Sequence, residues 1–199
     1  MITTSSYKNI LGSENKTLSI SADKGKDANY SGQCYTYLAP KRGFWRTWKD
    51  NRGIIPDDIN NKYYIEHYYD EVLSELEPNE VYNDVNNNTL LCYEDNMDFC
   101  HRHIVAAWLE LMLDIEINEI AYIDDEIIVV DKPSYIKEYL EQYIKSVTDM
   151  KGFGSLRALY IFNKSEEYKE IANYLRCEAS DIDEIYNIKK LTKIKNSNK

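Results

Sequence analysis

The sequence predicts an α/β fold, a small, mostly parallel sheet flanked by helices, with an α-helical C-terminal appendage. Three observations point there. Residues 17–21 alternate apolar and polar, and residues 89–93 form a short apolar run, both of strand length. Apolar stripes of helical period lie between and after them, and strands alternating with helices build parallel sheets. Beyond Pro133 only helical patterns remain, so residues 1–132 are expected to form the α/β domain and residues 133–199 a helical extension.

Taken in order, residues 2–6 and 17–21 are predicted strands, joined by a turn at Gly12-Ser13-Glu14-Asn15. Residues 23–32, rich in Lys, Asp and Gly, form a loop leading to an extended piece at 34–40, whose Pro40 cannot continue a ladder. Ile65, Tyr69, Val72, Leu73 and Leu76 mark a helix over 61–76, ended by Pro78. The strand at 89–93 is entered from three asparagines and left through Glu94-Asp95-Asn96. Asp98 reads as the N-cap of a helix over 99–113, with Val105, Trp108, Leu109 and Met112 on one face. Residues 115–122 and 127–130 are predicted strands turning at Asp124-Asp125. Ser134 then caps a stripe of Ile136, Tyr139, Leu140 and Tyr143, Gly152 and Gly154 break it, and further helices start at Ser165 and at the capping box 180–183. Spacing near 171–185 imitates a helix-turn-helix, but Asp181, Asp183 and Glu184 would face phosphates, so a hairpin for packing or self-association is expected.

Charge narrows the function classes. Thirty-four acidic against 24 basic residues give a net charge of −10, which argues against duplex DNA and anionic membranes as general partners. No apolar run approaches the roughly 18 residues that cross a bilayer. The four cysteines show no Cys-x-x-Cys spacing and the start lacks a secretory pattern, so reduced thiols and a cytoplasmic location are expected. Heavy use of Asn, Lys, Ile and Tyr suggests an AT-rich microbial or phage genome.

The densest chemistry is Cys92-Tyr93-Glu94 followed by Cys100-His101-Arg102-His103, at a strand end and the next helix start. Open α/β sheets bind ligands outside the carboxyl ends of strands, and a helix N-terminus favours anions. Arg102 suits a phosphate or carboxylate, with His103 beside it; His101 suits proton transfer, and Glu94 suits holding its ring or acting as base. Cys100 is a candidate nucleophile, since a helix N-terminus and neighbouring cations favour a thiolate, although a buried Cys is more often plain packing. A metal is not assigned: on one helix His101 points about 160° from His103, so Cys100, His101 and His103 cannot converge. A structural alternative pairs Glu94 with Arg102 and leaves the histidines to cap or pack.

These residues resemble the signature of the domain of unknown function 488 family, in the runs Leu90-Leu91-Cys92-Tyr93-Glu94 and Phe99-Cys100-His101-Arg102-His103 through Leu109. Ile2-Thr3-Thr4-Ser5, Ser19-Ile20-Ser21, Tyr37-Leu38-Ala39-Pro40 and residues 64–76 extend the similarity over about residues 1–120. The resemblance implies a compact α/β domain with Cys100, His101 and Arg102 near its site, and points toward nucleotides or nucleic-acid bases as ligands. The chain departs from the pattern at Asp95-Asn96-Met97, where a glycine turn is expected, and in the tail beyond about 133.

A basic island at 41–52 holds five cations against one acid, together with Phe44, Trp45 and Trp48. Aromatics interleaved with cations suit a base and its phosphates, so Trp45, Trp48, Arg42 and Arg46 are candidate binding residues, with Tyr7 as an extra stacker. The bland alternative makes the two tryptophans the buried side of a short helix. The expectation is a small anionic ligand, a nucleotide, bound at the 92–103 corner, with hydrolysis or transfer at it, no cofactor, and self-association through the C-terminal helices. The alternative is a non-catalytic factor of phage or mobile-element type that sequesters a nucleotide signal.

Overall fold

The computed structural model describes residues 1–10 and 16–152. The chain divides into two units between Tyr143 and Ile144, and Met1–Tyr143 carries the whole sheet. Six strands, β1 (Thr3–Ser6), β2 (Thr17–Ser19), β3 (Gln33–Cys34), β4 (Thr89–Cys92), β5 (Asn118–Ile123) and β6 (Glu126–Val130), lie in the order β3-β2-β4-β1-β5-β6. The first five are parallel, and only β6 runs antiparallel, against β5. The fold class is therefore the α/β arrangement the sequence predicts.

Local chemistry explains most of these elements. β4 is buried along its whole length, Leu90 and Leu91 completely, as a central parallel strand covered on both faces must be. β1 beside it is small and polar; Ser5 Oγ satisfies itself by donating to the Ile120 carbonyl at 2.6 Å, and Thr3 bonds Thr89 across the ladder at 2.9 Å. Asp124 and Asp125, both at positive φ (52° and 65°), make the two-residue turn that joins β5 to β6, where aspartate tolerates the left-handed region.

Among the described residues six helices accompany the sheet: α1 (Tyr7–Ile10), α2 (Arg42–Asp50), α3 (Asp57–Glu71), α4 (Pro78–Val85), α5 (His101–Leu113) and α6 (Tyr135–Gly152). Several differ from expectation. Pro78 does not simply end a helix; it opens α4 at the first turn, where its missing N–H costs nothing, and α3 gives way earlier to a 3-10 turn at Leu73–Glu75. Only Cys34 of the extended 34–40 segment joins a strand, with Gln33 before it, because Thr36–Leu38 coils into a 3-10 turn whose Leu38 carbonyl accepts the Tyr68 hydroxyl. Asp98 is not the N-cap of α5. Cys100 holds that place in an extended conformation, and Asp98 lies two residues too early to reach the free amides.

α5 is the core of the unit. Every residue from His101 to Glu110 is buried, so the expected single apolar face becomes a helix enclosed all round, with Met112 emerging beyond it. The predicted turn at 12–15, Gly154 and the helices at 165 and 180–183 lie outside the described residues.

Candidate functional site

β4 is apolar to its end, and the first reactive group it delivers is Cys92 at its carboxyl edge, 2% exposed. The chain then loops through Tyr93 and Glu94 and returns at Cys100 to begin α5. Glu94 Oε2 accepts from Cys100 Sγ at 3.0 Å and from Cys92 Sγ at 3.3 Å. His101 Nδ1 stands 3.4 Å from Cys92 Sγ and 3.9 Å from Cys100 Sγ. The other ring nitrogen, Nε2, lies 3.1 Å from the Ile20 carbonyl, which can only accept. Nε2 therefore carries a proton, and Nδ1 is the ring nitrogen turned toward the two sulfurs. The donor atoms of Cys92, Cys100 and His101 all lie within 4.8 Å of one another.

Burial and mutual charge set the electrostatics. Burial, then the neighbouring Cys100, push the Glu94 carboxyl up to about 7. Burial also raises the Cys92 thiol well above its usual range. For Cys100 burial again works upward, but the bond to Cys92, the Arg102 charge and His101 outweigh it, and the thiol falls well below its usual range. Burial works against the His101 cation, yet the Cys100 sulfur and the Glu94 carboxylate prevail and raise it.

This cluster forms one end of a cavity of about 620 Å³. The loop after β2 supplies Ser21, Asp23 and Asp27, the loop after β4 supplies Tyr93, and α2 closes the other side with Arg42, Trp45 and Lys49. The cavity thus sits beyond the carboxyl ends of β2 and β4, where an open parallel sheet receives its ligands. Lys49 Nζ lies 4.8 Å over the Trp45 ring, so a cation and an aromatic face are presented as a unit. The β2 loop turns at Gly25 (φ 77°), where a Cβ would come within 2.8 Å of the Tyr7 hydroxyl oxygen. Asp23 steadies it, accepting from the Tyr93 hydroxyl and from the Gly25 amide at 3.2 Å.

The basic island therefore does fold over the thiol corner, and Arg42, Trp45, Glu94, Cys100 and His101 share one cavity. Trp48 joins only by an edge: it is 8% exposed and donates Nε1–H to Asn61 at 3.0 Å, so it packs more than it presents a face. Four candidates are placed elsewhere. Arg102 is fully buried, its Nε and Nη2 donating to Glu119 at 2.9–3.3 Å and its Nη1 and Nη2 to the Glu94 and Asp95 carbonyls at 2.8 and 2.9 Å. It shapes the Glu94 loop from beneath and has no face toward the cavity. His103 points away, as the helix geometry predicts, with Nε2 3.4 Å from Glu119 Oε2 at the edge of a second cavity of about 550 Å³. Tyr7 is buried beneath Tyr30 and Tyr93, its hydroxyl bonded to Ser19 and Ser21 at 2.5 Å, so it is structural. Arg46 is exposed outside the cavity and 3.6 Å from Asp50.

Residues given no individual role in the sequence reading are Glu119, Tyr93, Asp23 and Lys49. Glu119 left a signal, a carboxylate inside the apolar β5 run Asn-Glu-Ile-Ala-Tyr-Ile, which a buried strand admits only with a cationic partner. The proposed pairing of Glu94 with Arg102 is replaced by Glu119 with Arg102.

The family model described as the active DUF488-N3 subclade matches residues 14–113, a span that contains β2 to β4, the basic island and α5. No curated protein and no solved structure matches the chain.

Proposed function

The chain belongs to the DUF488 family by its match to the active DUF488-N3 subclade, and from that premise we propose that it binds a nucleotide or nucleobase-bearing small molecule in the α2-covered cavity and hydrolyses or transfers a group of it at Cys100. One observation carries this: a cation-flanked indole and a buried cysteine, carboxylate and imidazole cluster line a single cavity. Trp45 stacks the base, Arg42 and Lys49 meet the anionic group, and Glu94 and His101 border the reacting sulfur. The free amides and positive dipole at the start of α5 favour negative charge developing beside Cys100.

In the chemical step the Cys100 sulfur forms a bond to the electrophilic atom of the ligand. The bond to the leaving group breaks with its electron pair, and a proton held at Glu94 passes to that group. Water or an acceptor nucleophile then takes the electrophile from sulfur and restores the thiolate.

A thermal-shift panel of nucleotides tests the binding half. A binder present at about 100 times its Kd stabilises the native state by about 2.7 kcal/mol. Trp45→Ala should weaken that binder tenfold or more, since stacking supplies about 1–3 kcal/mol per base. Cys100→Ser should retain binding and lose turnover. If no nucleotide shifts the wild type, or if Trp45→Ala binds unchanged, the proposal is wrong.

A further inference from the structure

We infer that Cys92 Sγ, Cys100 Sγ and His101 Nδ1 bind a thiophilic divalent cation, zinc by their chemistry, with the fourth position left to a ligand outside this set. The site goes beyond the proposed function and does not depend on what fills the cavity.

Geometry is the first support. Zinc bonds of about 2.3 Å to sulfur and 2.0–2.2 Å to nitrogen and oxygen require tetrahedral ligand-to-ligand edges of about 3.3–3.8 Å. The edges here are 3.4 and 3.9 Å from the two sulfurs to His101 Nδ1. All three Cys and His donors fall within 4.8 Å of one another, so no backbone movement is needed to surround an ion. Contact is made across the fold, with Cys92 from the end of β4 and the other two from the start of α5.

The second support is the orientation of the histidine. A ligating imidazole donates its remote N–H to a carbonyl or carboxylate, which fixes the tautomer and aims the lone pair at the metal. His101 does this through Nε2 and the Ile20 carbonyl, at 3.1 Å. Charge is the third. Two thiolates and a neutral imidazole around a divalent ion leave no net charge to be buried. Two sulfur donors with one imidazole select zinc over magnesium or calcium, which prefer oxygen cages. A zinc-bound Cys100 stays a thiolate, so the ion is compatible with chemistry at that sulfur.

Metal analysis of the full chain, purified reduced and without chelator, tests the site. About one zinc per chain is expected, removed by a chelator and restored by adding zinc. Cobalt added to the metal-free protein should give visible bands of a tetrahedral ion together with a thiolate charge-transfer band. Cys92→Ser should lower the zinc ratio at least tenfold, whereas Cys34→Ser, at an exposed thiol outside the cluster, should leave it unchanged. Cobalt spectra of the wild type need no substitution, so they decide the matter even if Cys92→Ser fails to fold. Absence of the thiolate band, or zinc retained by folded Cys92→Ser, would overturn the inference.

Discussion

Replacing Arg102 by methionine separates two roles that the sequence left open for it, a ligand contact and a structural strut. In the fold the guanidinium is wholly enclosed, and Glu119 opposite it is equally buried. Methionine fills a similar volume but leaves a buried carboxylate without its cation and removes the donors held by the Glu94 and Asp95 carbonyls. Breaking a buried pair from one side costs about 3–5 kcal/mol. The orphaned carbonyls belong to the same network, so their cost overlaps with that figure and is not added to it. Set against a domain stability of about 5–15 kcal/mol, the loss is severe, and for a unit of this size it lowers Tm by roughly 10 °C. Adding Glu119→Leu removes the stranded charge, so Arg102→Met with Glu119→Leu should recover part of that loss. Urea unfolding followed by circular dichroism measures all three variants. An Arg102→Met protein as stable as the wild type, but unable to bind a ligand that the wild type binds, would refute the strut and return Arg102 to the cavity.

Other predictions follow from single contacts. Burial raises the Glu110 carboxyl, but Lys132 at 2.7 Å, Lys137 at 2.9 Å and the Ile117 amide outweigh it and hold the group below its usual range. A lowered carboxylate stabilises the fold above its unfolded pKa of about 4.3 and loses that contribution as pH falls. Glu110→Gln should therefore flatten the decline in urea midpoint between about pH 5 and pH 3; an unaltered decline would contradict the pairing. Tyr7→Phe removes a hydroxyl shared by Ser19 and Ser21 and should cost about 1 kcal/mol of stability without altering ligand affinity, as calorimetry on both properties would show. Trp108 is buried in the middle of α5, and Trp108→Ala should cost about 3–5 kcal/mol in the same unfolding assay.

The topology was legible because β4 and α5 are strongly patterned, and the hairpin because Asp124-Asp125 interrupts two β-branched runs. Short elements escaped. The single turn of α1 carries too few residues for a period, and α4 was hidden because Pro78 marks a helix start as readily as a stop. At the site, Glu94, Cys100, His101, Arg42 and Trp45, which the sequence reading named as candidates, line one cavity. Sequence reasoning failed for Arg102, because the acid that consumes it lies 17 residues further on in a different strand, a distance that no local pattern spans. It also set metal binding aside by weighing donors of one helix alone, whereas the second thiol near His101 comes from the end of β4. Among the described residues no helix is long and apolar enough to cross a membrane.

Native mass spectrometry with a nucleotide panel tests the occupied cavity most directly, because it counts what each chain holds. Wild type should carry one nucleotide per chain, and the combined Arg42→Ala and Trp45→Ala variant should carry none while keeping its native charge-state envelope. If the wild type takes up no nucleotide, or the variant takes up as much, the cavity under α2 is not a nucleotide site.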